Sequence, residues 1–479
     1  PTRRRFFGDC ARAGLAVTAG AAAPFAGAPA LGAPAVVGLS NTDVKNVERT
    51  VVRLKYKPTP AKYYTPYREA HAGTVKEIYR VTLANGVRGF GEGAANAAAL
   101  KRVIGRPVAD SMWDDSIGGG LQIALFDALG RTLGVPMHRL FGRQVRDRAF
   151  MSWWAGAMRG QDWVSECKEA LSLGFTAFKG KARPWYDLYE QCRELSAVLP
   201  PHFSIDFDFN ATLLDTSRAA RYLIGLEKYS QIAVWETPIP QEDVAGNRFL
   251  RTQTRVPIAM HFGSPPVMTA LREDVCDVFV VGGGVRGTLD TGALAATAGK
   301  SFWLQLGSTG IVAAFSMQLA AVLSHARWPA VTQFHLYTES LVKPGITVLN
   351  GSAAIPESPG LGFDLDEDAV ARHRLDMPAS QAAPSGSSAN RVVDYGWQGR
   401  SPDGPLPATR NLMVIRWPNG ARSYYAAEER YKQEFLAGRL PPFQPGVYVE
   451  EVPDDGSKDW RELQARAGKG GVHMGPLPR

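Results

Sequence analysis

The sequence predicts an α/β protein in which a (β/α) barrel follows a small N-terminal sheet domain. After Arg146, eight short β-rich runs alternate with helical stretches over about 190 residues, which is the pattern of βα units around a closed parallel sheet. The preceding hundred residues contain a hairpin signal and an amphipathic helix instead. A chain of 479 residues also exceeds one ordinary domain, so further segments are expected.

The N-terminal domain is predicted to be a small antiparallel sheet followed by helices. Asn85-Gly86 lies between two alternating apolar runs, and this pair accepts the positive φ of a tight hairpin turn. Apolar side chains recur at helical spacing from Leu121 to Leu133, where Gly134 and Pro136 end the helix. The predicted strands of this domain are Val47–Tyr56, Ile78–Leu83 and Val87–Phe90.

The barrel strands are predicted from short runs rich in β-branched and aromatic residues. They are Phe150–Ala155, Ala177–Lys181, Ser204–Asp208, Ile232–Glu236, Ile258–His261, Val278–Val281, Phe302–Gln305 and Thr332–Leu336.

Both ends of the chain carry segments that differ from this pattern. Residues 1–35 contain Arg3-Arg4-Arg5-Phe6-Phe7, an Ala/Gly-rich run and a small-residue site, which predicts a twin-arginine signal and a periplasmic or extracellular protein; a disordered tail is the alternative. No later stretch is apolar enough for a membrane span. Residues 378–390 have linker composition. Residues 391–479, with a hairpin signal at Pro418-Asn419-Gly420, form an extension without predicted chemistry: an extra domain, a strap over the barrel or an oligomer contact.

The net charge does not predict a nucleic-acid partner. Lys and Arg total 54 against 46 Asp and Glu, which gives +8. Part of this excess lies in the predicted signal, and no later stretch gathers basic and aromatic residues into a stripe.

Polar side chains end four successive predicted strands. Lys179 and Lys181 alternate toward one face, and Asp208, Glu236 and His261 follow at intervals of 27, 28 and 25 residues, each about one βα unit. The carboxyl ends of barrel strands meet at one rim, so we expect a divalent metal beside an amine base. A pair of surface lysines at a strand end is the alternative interpretation.

These residue types suit the removal of a proton α to a carboxylate. The dianionic enediolate that forms needs strong stabilisation, which a divalent cation supplies. A lysine beside a second ammonium and a metal has a lowered pKa and can act as a base near neutral pH.

Several separate segments resemble the mandelate racemase and muconate lactonizing branch of the enolase superfamily. The resemblance implies an α+β capping domain (36–146, with a return segment at 346–377) on a modified (β/α)7β barrel (147–345). It also implies Mg²⁺ dependence, a small carboxylate substrate and a homo-oligomer. The segments that carry it are Val81–Gly93, Ile123–Gly142, Gly174–Lys181, Ile205–Asn210, Val234–Pro238, Pro257–His261 and Pro359–Gly362.

The resemblance implies a role for each matching position. Asp208, Glu236 and His261 stand at the metal positions, Lys181 at the position of an acid/base, and Lys179 beside it. Position 261 is normally a carboxylate, and imidazole suits Mn²⁺, Zn²⁺ or Fe²⁺ better than Mg²⁺. Glu236-Thr237-Pro238 replaces Glu-Glu-Pro, which removes a supporting carboxylate.

The opposing base of the family is missing. The sixth strand ends in Gly282-Gly283-Gly284, where an Asp or Lys is expected on the far side of the substrate. Racemisation with two bases is therefore disfavoured, and a lyase (dehydratase) or isomerase acting on a hydroxy or sugar acid is predicted. His335 is the nearest replacement acid, unless it is bonded within the barrel wall. A catalytically degenerate barrel that binds a carbohydrate acid or a partner is the alternative function. The candidate substrate contacts are Asn210, Arg286, Tyr64, Arg68 and His71.

Overall fold

The structure is a computed structural model that describes residues 41–63, 73–376, 411–441 and 443–477. The predicted signal, the predicted linker and the candidate contacts Tyr64, Arg68 and His71 lie outside the described residues.

The described residues form strands and helices with the following bounds. The strands are β1 Val44–Arg53, β2 Val75–Leu83, β3 Arg88–Glu92, β4 Arg148–Ala155, β5 Ala177–Lys181, β6 Ser204–Asp208, β7 Ile232–Glu236, β8 Ile258–His261, β9 Val278–Val281, β10 Ser301–Leu304, β11 Ala330–Val331, β12 Val342–Lys343, β13 Ser352–Ala354, β14 Asp364–Leu365, β15 Arg374–Leu375, β16 Asn411–Arg416, β17 Arg422–Tyr425, β18 Tyr448–Pro453 and β19 Val472–Met474. The helices are α1 Pro58–Tyr63, α2 Ala97–Val103, α3 Gly119–Leu133, α4 His138–Phe141, α5 Gly160–Ser172, α6 Leu188–Ser196, α7 Thr216–Leu226, α8 Val244–Gln253, α9 Val267–Arg272, α10 Val285–Thr297, α11 Gly310–Ala320, α12 Glu367–His373, α13 Glu428–Leu436 and α14 Lys458–Ala467.

The N-terminal domain is an antiparallel sheet in the order β15-β1-β2-β3 with α3 packed on it. The chain returns to this sheet after the barrel, where Leu375 pairs with Val51. Gly89 and Gly91 let the helix approach closely: a Cβ at either position would lie 2.4 Å or less from backbone atoms of α3. The sheet and helix therefore share one tightly packed apolar core.

The barrel consists of parallel strands β4 to β10 with β11 beside β4. A bridge between Gln305 and Val331 joins the two edges of this sheet. Each of the first seven barrel strands is followed by an α-helix, and the eighth is not. This order is that of a (β/α)7β barrel, so the predicted fold class is confirmed. The predicted bounds of β5, β6, β7, β8 and β9 agree with the structure.

The eighth strand differs from its prediction. The run Thr332–Leu336 was expected to be a strand, but the strand is Ala330–Val331 and Phe334–Leu336 is a 3-10 helix. The reason is competition from the N-terminal domain: Lys57 N donates to Leu336 O at 2.8 Å, and Thr338 N donates to Lys55 O at 3.0 Å. The backbone after β11 therefore leaves the barrel to pair with the N-terminal domain.

Residues 411–477 fold into a further unit, which we call the C-terminal module. Its four strands form an antiparallel sheet in the order β18-β16-β17-β19 with α13 and α14 beside it. The predicted turn at 418–420 joins β16 and β17, with Gly420 N donating to Trp417 O at 2.9 Å. Within the described part of the chain, none of the helices has both the length and the apolar character needed to cross a bilayer.

Candidate active site

Strand β5 directs two lysines into the end of the barrel. Lys179 and Lys181 alternate with Gly180 and are both buried. Gly180 faces the helix layer, where a Cβ would lie 2.9 Å from the ring of Trp163. This tight outer packing fixes the strand, so both ammonium groups point to the inside.

Lys179 is surrounded by carboxylates from the next two strands. Its Nζ bonds to Glu236 and lies 3.5 Å from Asp208 and 3.8 Å from Asp206. Gln305, after β10, accepts a further bond at 2.6 Å. Burial opposes the charge of Lys179, but the neighbouring carboxylates outweigh it and raise its pKa above the ordinary value. The carboxylates thus favour the charged form of this buried lysine.

Lys181 is held by the strand that follows. Its Nζ bonds to Asp208 Oδ2 and donates to Asn210 Oδ1 at 3.1 Å. Asn210 is fixed on both sides, since its backbone N donates to Asp208 Oδ1 at 2.9 Å and Arg183 Nη2 donates to its amide oxygen at 2.9 Å. Burial alone would raise the pKa of Asp208, but the two ammonium groups hold it well below its usual range.

Glu236 and His261 meet at the ends of β7 and β8. His261 Nε2 lies 3.2 Å from Glu236 Oε1, and this buried oxygen accepts no hydrogen bond in the structure. Two ligands at right angles on an ion, each about 2.1 Å from it, would be about 3.0 Å apart. A carboxylate oxygen without a donor beside an imidazole nitrogen therefore fits two neighbouring ligands of a divalent ion.

Asp208 adjoins this pair because it also contacts Glu236. Among the described residues, however, no three His, Cys, Asp or Glu side chains are placed so that together they could hold a metal ion. The physical reason is that the ammonium groups of Lys179 and Lys181 bond to the same carboxylates. These oxygen and nitrogen donors suit a divalent ion. In the structure, the two ammonium groups neutralise the negative charge of the carboxylates.

Thr237 stands where a second glutamate is expected, and hydrogen bonds to Gln241 take the place of that carboxylate. Thr237 Oγ1 donates to Gln241 Oε1 at 2.9 Å, and that oxygen also accepts from His261 N at 3.1 Å. Gln241 Nε2 donates back to His261 O at 3.3 Å. Thr237 thus supports His261 through Gln241, a role that the sequence motif did not indicate.

The end of the sixth strand is occupied by the N-terminal domain. Asp115 accepts from Arg286 N at 3.0 Å and Gly287 N at 2.7 Å, at the start of α10. A Cβ on Gly284 would lie 2.4 Å from Asp115 Cγ, so the glycine leaves room for this carboxylate. The side chain of Arg286, the predicted substrate contact, is exposed and pairs with Asp290 at 2.7 Å on its own helix.

His335 is also placed away from the expected position. It lies in the barrel wall, stacked on Trp153 with centroids 3.9 Å apart, and its Nε2 lies 2.9 Å from Trp154 O. Burial lowers its pKa to about 3, so it carries no proton to donate as imidazolium at neutral pH. The structure does not bring it to Lys181, which corrects its assignment as the replacement acid.

Three contributors were missed at the sequence level. Asp206 lies two residues before Asp208, and strand alternation alone could have placed it on the inner face. Burial and the neighbouring carboxylates raise its pKa well above its usual range. Arg183 and Gln305 carry no comparable signal, because they act from a loop and from a strand end.

The N-terminal domain supplies a further polar group next to β10. Buried Lys76 donates to Ser308 Oγ at 2.8 Å, and Ser308 and Thr309 both bond to Glu92. Burial lowers the pKa of Lys76 to about 8 against the attraction of Glu92. This cluster joins the N-terminal sheet to the loop after β10.

Comparison with known proteins places this arrangement in a family. The Enolase C-terminal domain-like family matches residues 162–369. Muconate cycloisomerase 1-2 of Acinetobacter lwoffii is 27% identical over 273 residues, which covers 53% of this chain and 69% of that protein. The probable glucarate dehydratase of Streptomyces coelicolor is 25% identical over 404 residues, covering 68% and 91%.

Over the matched residues, the chain is similar to the mandelate racemase and muconate lactonizing family of the enolase superfamily. The solved muconate lactonizing enzyme from Pseudomonas fluorescens, complexed with muconolactone, shares the fold with a TM-score of 0.57 and 24% identity over 70% of this chain and all of that one. The resemblance seen in the sequence is therefore confirmed. The matched relatives are enzymes, muconate cycloisomerases and sugar acid dehydratases, and enzymes of this superfamily generally use Mg²⁺.

Proposed function

We propose that this enzyme removes a proton α to the carboxylate of a hydroxy or sugar acid and eliminates water, with Lys181 as the base. The observation that carries the proposal is the buried pair of Lys181 and Asp208 beside Glu236 and His261. Asp208, Glu236 and His261 would hold a divalent ion, and the ion would supply positive charge to the enediolate.

The structure favours chemistry on one face of the substrate. Lys181 lies at the last position of β5 and bonds to Asp208, whereas the end of the sixth strand is filled by glycines and by Asp115. In a syn elimination, the amine takes the α-proton and a carbon–carbon double bond forms. The ammonium then returns a proton to the departing β-hydroxyl, so water leaves and Lys181 is regenerated.

Lys179 has a different part in this proposal. The neighbouring carboxylates raise its pKa and favour its protonated form, so Lys181 and not Lys179 is proposed as the base. The ammonium of Lys179 instead adds positive charge where the carbanion develops and holds Glu236. The matched dehydratases and cycloisomerases support a reaction that begins with this proton abstraction.

The proposal is tested with purified protein, Mg²⁺ or Mn²⁺ and a panel of aldonic, aldaric and muconic acids. Products are followed by proton NMR in D₂O. Lys181→Ala is expected to lower turnover by about 10²–10⁴-fold while the fold and Mn²⁺ binding persist. Lys168→Ala, at an exposed lysine on α5, is the control and should retain full activity. Full activity in Lys181→Ala would refute the role of Lys181.

Export remains a separate proposal that rests on residues 1–35. It is tested by fusing these residues to a reporter that is active only after export. Replacing Arg3, Arg4 and Arg5 by Lys should abolish the signal, whereas a reporter that stays inside the cell with the native residues would contradict the proposal.

A further inference from the structure

The C-terminal module contacts the barrel at the end that carries the candidate site. Arg159, after β4, donates to Val449 O at 3.4 Å. Asp187, after β5, accepts from Gly446 N at 2.9 Å. These loops leave the carboxyl ends of barrel strands, so the module lies on the face where Lys181 and Asp208 emerge. The family match ends at residue 369, so the module lies outside it.

The loop after β5 is built into the core of the module. Trp185 and Tyr186 are buried with module residues such as Ile415 and Tyr431. The rings of Trp185 and Tyr431 meet edge to face at 4.8 Å. Because Trp185 lies four residues after Lys181, the folding of the module and the course of this loop are coupled.

Phe443 makes the reverse contact. It is a module residue, yet it is buried in the core of the barrel, with its ring 5.9 Å from that of Phe209 and 5.1 Å from that of Tyr222. Its backbone N donates to Pro184 O at 3.2 Å. Its φ of 45° is a strained value for a bulky residue, and such strain persists only where the surroundings require it.

Phe209 is the residue between Asp208 and Asn210. The chain beyond it also has left-handed φ values of 48°, 66° and 66° at Asn210, Ala211 and Leu214. Phe209 N donates to Glu236 O at 3.0 Å, so the Phe209 position links both carboxylate strands. A ring that packs on Phe209 therefore bears directly on the segment that presents Asp208 and Asn210 to Lys181.

We propose that Phe443 is a positioning residue and that the C-terminal module is a built-in part of the active site. Through Phe209, Phe443 holds residues 208–211 in the conformation that binds Lys181. Only the importance of that conformation for catalysis rests on the proposed function.

The experiment uses the full chain with Phe443→Ala and Phe443→Leu. Trp460→Ala is the matched control, because Trp460 is a buried module aromatic that packs on Leu412 and Val414. Hydrogen exchange is measured for peptides covering 207–215, with thermal melting and Mn²⁺ affinity beside it. Phe443→Ala should speed exchange of 207–215 by about ten-fold, and Phe443→Leu should restore near-native exchange.

The same variants should separate positioning from general stability. Phe443→Ala is expected to weaken Mn²⁺ binding by about ten-fold, whereas Trp460→Ala lowers the melting temperature and leaves both readouts near native. On an identified substrate, Phe443→Ala should lower kcat more than it raises KM.

Native exchange of 207–215 in Phe443→Ala would overturn the inference, as would equal exchange in Trp460→Ala. If Phe443→Ala does not fold, Phe443→Val is judged by the same criterion. Exchange and melting need neither substrate nor metal, so their outcome stands even if the proposed reaction is wrong.

Discussion

Lys179 shows how a charged side chain is kept inside a barrel. It is fully buried, and it and Lys181 balance Asp208 and Glu236, while burial and the neighbouring carboxylates raise the pKa of Asp206 well above its usual range. Each ion of the cluster therefore has a counterion. The cluster is stable as a set and costly to break, since removing one partner leaves a buried charge uncompensated.

The first prediction follows from this balance. Lys179→Met should lower the free energy of unfolding by about 3–5 kcal/mol, measured by urea denaturation at neutral pH. In the double variant Lys179→Met/Glu236→Gln the loss should be smaller than the sum of the single losses, because both groups belong to one network. Additive losses would contradict the bonded arrangement of Lys179 and Glu236.

Lys76 gives a prediction about pH. Its pKa is about 8 in the folded protein and 10.5 ordinarily, so the unfolded chain binds more protons between these values. The free energy of unfolding should therefore gain up to about 1.4 kcal/mol per pH unit from this residue as pH rises from 8 to 10.5.

Lys76→Met removes this gain. The free energy of unfolding of the native protein minus that of the variant should therefore rise steadily across that window. Ser308→Ala is a useful companion variant, since it removes the bond from Lys76 but leaves the burial that lowers its pKa. A constant difference between the curves would contradict the assigned pKa.

At the scale of elements, the sequence predicted most where local pattern decides the structure. Strands β5 to β9 are runs of four or five largely buried residues. Each ends in a polar residue or directly before a glycine, and this pattern makes their bounds predictable. The prediction of the eighth strand was wrong because the backbone of Leu336 and Thr338 hydrogen-bonds to Lys57 and Lys55, which lie in a distant segment of the chain. Local alternation cannot report that competition.

In the candidate site, too, local pattern predicts some residue positions and contacts between distant elements decide the others. Lys181, Asp208, Glu236 and His261 were predictable because each ends a strand, and strand ends meet at one rim. The position of His335 in the wall and the contact of Asp115 with α10 depend on packing between elements far apart in the chain. Spacing holds no information about such contacts.

The junction of Asp115 and α10 supports an element-scale prediction. Gly284→Ala should displace the Asp115 side chain, because the new Cβ would lie 2.4 Å from Asp115 Cγ. The N-terminal domain should then bind the barrel less firmly, with a loss of about 1–3 kcal/mol in the free energy of unfolding.

Gly345→Ala is the matched control, since a Cβ there meets nothing within 4 Å. The double variant Gly284→Ala/Asp115→Gly should be no less stable than Asp115→Gly alone, because glycine at position 115 removes all three atoms nearest to the new Cβ. A large additional loss in the double variant would place the effect of Gly284→Ala elsewhere in the fold.

At the scale of the whole molecule, the barrel and the C-terminal module exchange core residues. Phe443 lies in the barrel core, and Trp185 and Tyr186 lie in the module core. Two units that each complete the other's core cannot unfold independently without exposing large aromatic side chains.

The full chain should therefore show one calorimetric transition that includes both units. Trp185→Ala should lower the midpoint and separate a module transition from the barrel transition, since a buried Trp→Ala change costs about 3–5 kcal/mol and here removes the shared contact with Tyr431. Trp460→Ala, which perturbs the core within the module, should lower the midpoint without separating the two. If the native protein already showed the module melting well before the barrel, the exchanged residues would not couple the two units.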